Sequence, residues 1–242
     1  MIRPEKGAMR KNGPAWSIIV FTTLAGAGQG LFLALFAADL AGRAARHFLF
    51  IGSALAALLC VAGLVASFFH LRRPPRSWRS ALLPVFIVAL AGYSAAQLLS
   101  LHGWARALGF AAVLLCIALF VCMAMRPLTF LNFFALGCAS GATAAAALAA
   151  GLQPALMPAY TALALALGLI AYVLRVGTFP RHTRVRPNST TQSATTVRVT
   201  FLALAFPLPA VLLYVSEPAL AFVVQYAGLL AERWLFFAES LA

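Results

Sequence analysis

His70 is the residue whose chemistry stands out. It ends an almost uncharged run of 22 residues, 48–69, and is followed directly by Leu71-Arg72-Arg73-Pro74-Pro75-Arg76-Ser77-Trp78-Arg79. An imidazole titrates near pH 6.5, so at the end of an apolar helix it can take a proton from a lipid-soluble carrier or hydrogen-bond that carrier's head group. Arg72, Arg73 and Arg76, set around Pro74, can hold the carrier, an acidic partner surface or lipid phosphates. The competing reading makes His70 and Trp78 interfacial anchors for a helix end.

The other charged group of interest is Glu232 beside Arg233. Of the five acids, Glu5, Asp39, Glu217, Glu232 and Glu239, it alone falls well inside an apolar stretch. Ionisable groups in a bilayer are costly and so usually functional, but one carboxylate next to an arginine can pair locally. That is thin material for an ion pathway, and it weighs against a small-solute transporter. The four histidines, His47, His70, His102 and His182, fall at helix ends or in loops, so no two can clamp a haem in mid-membrane. Cys60, Cys116, Cys122 and Cys138 form no C-x-x-C pair and read as small packing residues. The expectation is a chain that binds no metal or cofactor of its own.

The elements that must position these groups are membrane helices. Of 242 residues, 63% are hydrophobic and 10% charged, too little polar surface for a water-soluble domain. A bilayer core about 30 Å thick takes roughly 20 apolar residues per crossing. Eight segments qualify, at about 16–39, 48–70, 80–100, 107–126, 128–150, 155–175, 199–216 and 218–238, which predicts an all-α integral membrane protein, an eight-transmembrane-helix bundle. Pro207 and Pro209 interrupt the seventh, a break tolerated where neighbouring helices satisfy the freed carbonyls. Uniformly apolar segments exclude a β-barrel, whose strands alternate over about ten residues. The whole chain, 1–242, reads as one membrane domain with a short basic tail at 1–15. The run after that tail is too long for a signal-peptide core and reads as the first span. Gly26, Gly28 and Gly30, and the Gly137-to-Gly141 pair, mark places where helix backbones can approach closely.

Charge orients the bundle. With eight spans, 15 of the 18 basic residues fall on one side, and only Arg43, Arg46 and Arg106 on the other. The positive-inside rule then puts both termini and the His70 loop in the cytoplasm. The net charge of +13 has no basic helix or stripe separate from the apolar segments, so it points to lipid head groups or an acidic protein face and not to nucleic acid.

Residues His70 to Arg79 resemble the His-Leu-Gly-Arg-Pro-x-Arg-Ala-Trp-Arg signature of the DMSO reductase anchor-subunit family. Two further segments are similar to that family. Arg186-Pro187-Asn188-Ser189-Thr190-Thr191-Gln192-Ser193 looks like its basic Ser-Thr-x-Gln loop, and Glu232-Arg233-Trp234-Leu235-Phe236-Phe237-Ala238-Glu239 looks like its last-helix Glu-Arg-Trp-x-Phe-Phe-Ala segment. The resemblance implies a bacterial inner-membrane anchor for a molybdopterin catalytic subunit and a four-cluster ferredoxin-like iron–sulfur subunit. Such an anchor binds menaquinol or ubiquinol near the histidine matching His70 and passes electrons to the adjacent cluster, in anaerobic-type respiration. Arg72, Arg73, Pro74, Arg76 and Trp78 would then bind quinol or dock the partner, with Glu232 and Arg233 a buried pair near the same side.

This chain departs from that pattern. Arg72 stands where the family has glycine. Ser80-Ala81-Leu82-Leu83-Pro84 enters the third helix without the family's acidic residue, and the stretch at Arg126-Pro127 is short. These departures motivate an alternative: a degenerate anchor that assembles partners without oxidising quinol.

Overall fold

The computed structural model describes residues 16–68, 78–123, 127–178 and 190–240. Among these the chain is helical apart from short turns, with no β-strand. The helices are α1 (Trp16–Leu40), α2 (Arg46–Phe68), α3 (Trp78–Leu98), α4 (His102–Met123), α5 (Pro127–Leu152), α6 (Met157–Thr178), α7 (Thr190–Ala205), α8 (Pro207–Tyr214) and α9 (Pro218–Ser240), with a 3₁₀ turn at Pro154–Leu156 before α6. Six stretches are long and apolar enough to cross a bilayer, namely Trp16–Leu40, Arg46–Ser67, Ala81–Leu98, His102–Cys122, Leu131–Leu152 and Pro154–Gly177. The protein is therefore a multi-pass membrane protein.

The expected seventh segment is two helices. Proline has no N–H, so Pro207 and Pro209 cannot close helical hydrogen bonds to the carbonyls four residues back, those of Ala203 and Ala205. At Phe206 the backbone leaves helical geometry, with φ −127° and ψ −73°. α7 begins earlier than expected, at Thr190, and α8 is only 8 residues long. The fourth helix also starts earlier than expected, at His102. The chain reverses tightly there, with Ser100 in the left-handed region at φ +60°.

Consecutive helices run up and down, so their ends gather at two poles. The first pole holds the starts of α1, α3, α5 and α7 and the ends of α2, α4, α6 and α9. The second holds the remaining turns. α1 sits at the centre, against α2, α5 and α9; α5 also carries α6 and α9; α3 lies outboard on α2 and α4 on α3; and α7 and α8 lie on α9.

Lipid offers no hydrophobic drive for helices to associate, so their contact depends on close packing. The α1–α5 seam achieves it with glycine. A Cβ on Gly30 would collide with the Gly137 carbonyl, and one on Gly141 with the Gly30 backbone. Gly28 stands equally close to α2, where a Cβ would lie 2.7 Å from both the Ala56 carbonyl oxygen and Cys60 Sγ. Between α1 and α3, Phe32, Phe36, Phe86 and Tyr93 pack edge to face, with ring centroids 5.5 to 6.0 Å apart across the helices. Cys60, Cys116 and Cys138 are buried free thiols and Cys122 is half-buried.

Candidate functional site

The charged groups inside the bundle gather near the first pole. Glu232 of α9 is fully buried (0% exposed) and faces two arginines. Arg175, in the last turn of α6, brings Nε to 3.4 Å from Glu232 Oε1, and Arg233 brings Nε to 3.6 Å from Oε2. Both arginines are buried, and the Arg233 guanidinium lies over the Phe133 ring of α5, with Cζ 3.4 Å from its centroid. Arg175 also faces the Phe201 ring of α7, at 6.0 Å. Two helices, α6 and α9, thus converge on one carboxylate, and rings of two more, α5 and α7, face its arginines. These three side chains carry a net charge of +1 in an apolar setting. Buried charges of this kind persist only where they are paired.

A short distance deeper, α5, α6, the α7–α8 junction and α9 enclose a slot of about 300 Å³. It is lined mainly by apolar side chains, with Thr143 of α5, Tyr172 of α6 and Gln225 of α9 as the polar exceptions. Gln225 is buried (4% exposed) and its Oε1 has no hydrogen-bond partner within the chain. Phe206, the residue at the helix break, packs edge to face on Tyr172 at 5.3 Å. Gly228 lets α9 press against the end of α7, since a Cβ there would lie 2.5 Å from the Ala205 nitrogen.

The second pole carries a separate polar network. Tyr93 Oη donates to Asp39 Oδ2 at 2.7 Å and Gln97 Nε2 donates to the same oxygen at 3.0 Å. Arg46 donates to Ser100 Oγ at 2.6 Å and lies 2.8 Å from His102 Nε2. Gln153 ties the α1–α2 turn to the α5 end: its Nε2 donates to the Arg43 carbonyl at 2.8 Å and its Oε1 accepts from the Ala45 N–H at 2.9 Å. Among the described residues, no three His, Cys, Asp or Glu side chains converge where they could hold a metal ion.

Of the residues singled out from sequence, His70, Arg72, Arg73, Pro74 and Arg76 lie outside the described residues, as does His182. Trp78 is the first residue of α3, at the first pole, and its side chain is outside the described set. Glu232 and Arg233 are brought together, and with Arg175. The sequence reading counted Arg175 only among the 15 basic residues of one side and missed its place in the cluster. Arg175 is the last residue of the expected sixth segment, and the available signal was that the uncharged run continues beyond it through Val176 and Gly177. Gln225 was missed as well, although an amide in the middle of a last helix is a polar group at membrane depth.

The chain is 33% identical to the sulfite dehydrogenase C subunit of Allochromatium vinosum, and the match covers 94% of this chain and 96% of that relative. The match extends over 314 aligned positions, more than the 242 residues here, so the relative contains segments that this chain lacks. No family profile and no solved structure matches the chain. The identity and the near-complete coverage of both sequences place it: this chain belongs to the family of the sulfite dehydrogenase C subunit.

Proposed function

We propose that this chain is the membrane anchor of an oxidoreductase complex and exchanges electrons between the quinone pool and a peripheral iron–sulfur partner, itself attached to a molybdopterin catalytic subunit. The observation that carries the proposal is the end-to-end similarity to a C subunit of a dehydrogenase. The membrane bundle supports it too, since a multi-pass subunit in a redox assembly has the lipid-soluble carrier at hand. In this reading α7 with α8 and α9 complete eight passes, the termini and the α2–α3 connection lie in the cytoplasm of a bacterial inner membrane, and the iron–sulfur partner docks at that pole.

His70 is the proton acceptor or head-group ligand. Arg72, Arg73 and Arg76, with Pro74 and Trp78, face the partner or the carrier. Glu232, Arg233 and Arg175 form a buried ion cluster at the same pole. Menaquinol or ubiquinol is the carrier, and this chain supplies no prosthetic group to it.

The relative's name carries a second reading of the electron flow. A dehydrogenase withdraws electrons from its substrate, so in a complex of that kind the anchor would reduce quinone, whereas in a DMSO-reductase-like complex it would oxidise quinol. A third reading, an assembly platform without quinone chemistry, is favoured by the segments present in the relative and missing here.

Purification of the tagged full chain from its own membranes tests all three. Recovery of an iron–sulfur protein and a molybdenum protein, with quinol-dependent or quinone-dependent turnover lost in His70→Ala, supports the proposal and fixes the direction. Co-purification without either turnover selects the platform. Absence of any redox partner removes the proposal.

A further inference from the structure

The contact between Arg46 and His102 at the second pole fixes the state of an imidazole. A guanidinium has donors and no acceptor, so Arg46 Nη2, 2.8 Å from His102 Nε2, needs a lone pair on that nitrogen. The contact therefore demands a neutral ring with its proton on Nδ1. The same guanidinium donates through Nη1 to Ser100 Oγ at 2.6 Å. Arg46, Ser100 and His102 are all exposed at the edge of the bundle, so protons from water reach them.

What the contact holds is the turn between α3 and α4. α3 ends with the Leu101 N–H donating to the Ala96 carbonyl at 2.9 Å and the Ser100 N–H to the Gln97 carbonyl at 3.3 Å. This helix ending needs a left-handed residue, usually glycine, and Ser100 stands there at φ +60°. Its hydroxyl is what Arg46 grips. α4 packs chiefly on α3, so Arg46, the first residue of α2, ties the turn and the start of α4 across to α2.

We propose that Arg46 and His102 form an acid-released latch, closed on the neutral imidazole and opened when His102 takes a second proton. That proton turns the acceptor into a donor and sets two cations against each other. It also adds positive charge at the first residue of α4, where the helix dipole is already positive. The surrounding charges do not offset it. Asp39 of α1 already accepts from Tyr93 and Gln97 of α3 through Oδ2. Arg43 of the α1–α2 turn and Arg106 of α4 add positive charge, His47 of α2 is a second imidazole, and the α5 end brings only the neutral Gln153. Glu217 sits apart, on the α8–α9 turn. In the orientation proposed above this pole faces out of the cytoplasm, the side whose acidity follows the surroundings. The latch itself does not depend on the electron-transfer reading.

The test is amide hydrogen exchange of the full chain in lipid nanodiscs at about pH 8 and about pH 5, on either side of the range in which imidazoles take a second proton. Rates are referred to the intrinsic rate of each amide at that pH. Residues 99–106 should exchange several-fold faster at the acid pH, while the rest of α3 and α4 stays protected. His102→Gln keeps an oxygen that can accept from Arg46 and does not titrate, so its turn should be protected at both pH values. Arg46→Met should exchange fast at both. His47→Gln, which leaves the contact intact, should retain the acid response. A wild-type turn equally protected at the two pH values, or an acid response that survives in His102→Gln, overturns the proposal. So does a nitrogen NMR spectrum at about pH 8 that puts the His102 proton on Nε2.

Discussion

Arg175 and Glu232, one near the end of α6 and the other near the end of α9, meet at 3.4 Å although α6 and α9 are separated by two other helices in the chain. This single contact draws the ends of two helices together at the first pole, and it makes the carboxylate the common partner of two cations.

The first prediction concerns that carboxylate. Glu232→Gln leaves two buried guanidinium groups side by side without their shared counter-charge. Breaking a buried pair in this way costs about 3–5 kcal/mol. The variant should show a markedly lower melting temperature in detergent and a poor yield. Arg233→Met keeps a one-to-one pair of Arg175 with Glu232 and should lose much less. A reversed ranking of the two melting temperatures would refute this account of the cluster.

The glycine seam gives a second. Gly30→Ala or Gly141→Ala drives a methyl into the backbone of the facing helix, an overpacking cost of about 1–3 kcal/mol or more. Gly151→Ala, where the added Cβ meets nothing, should be neutral or stabilising by up to about 1 kcal/mol. Thermal unfolding of the three variants in one detergent separates a seam from a mere run of small residues.

At the second pole, Asp39 accepts from Tyr93 and Gln97 through one oxygen. Asp39→Ala leaves two donors on α3 unmet and should cost about 1–3 kcal/mol. Tyr93→Phe, which removes donor and hydroxyl together, should cost less. Turnover at the first pole should be unaffected in an assembled complex, and a loss there would show that the two poles are coupled.

Gln153 is a further test of the second pole. Its amide holds both the Arg43 carbonyl and the Ala45 N–H, so Gln153→Ala frees the α1–α2 turn from the α5 end. Faster amide exchange confined to residues 41–46 is expected, at a cost of about 1–2 kcal/mol. Uniform exchange rates in wild type and variant would count against the tie.

How much of this could be read from the chain differs from element to element. The helices are legible because each is apolar along its whole length, and the break at Phe206 is legible because two prolines mark it. Gly26, Gly28, Gly30, Gly137 and Gly141 announce close approach, but not that α1 and α5 approach each other. Pairing partners in lipid are chosen by surface fit, which no local pattern carries. The same limit hid Arg175. At the end of the sixth segment it reads as one more basic residue of that side, and only the placement of α5 between α6 and α9 brings it to Glu232. The slot was hidden for another reason, because it is a gap left where a broken helix fails to cover its neighbours. Residues 69–77, where the sequence concentrates its most suggestive chemistry, fall outside the described residues.

The seam between α1 and α5 also has a consequence for biogenesis. α1 is made first, yet the backbone that it fits belongs to a helix that cannot exist until Gly141 has left the ribosome. Until then Gln29, fully buried in the finished fold, sits in mid-helix facing lipid or the translocation machinery without its final surroundings. Assembly of the central pair is therefore a late event during synthesis, and a truncated nascent chain ending before Gly141 should be the form most readily captured by insertion factors.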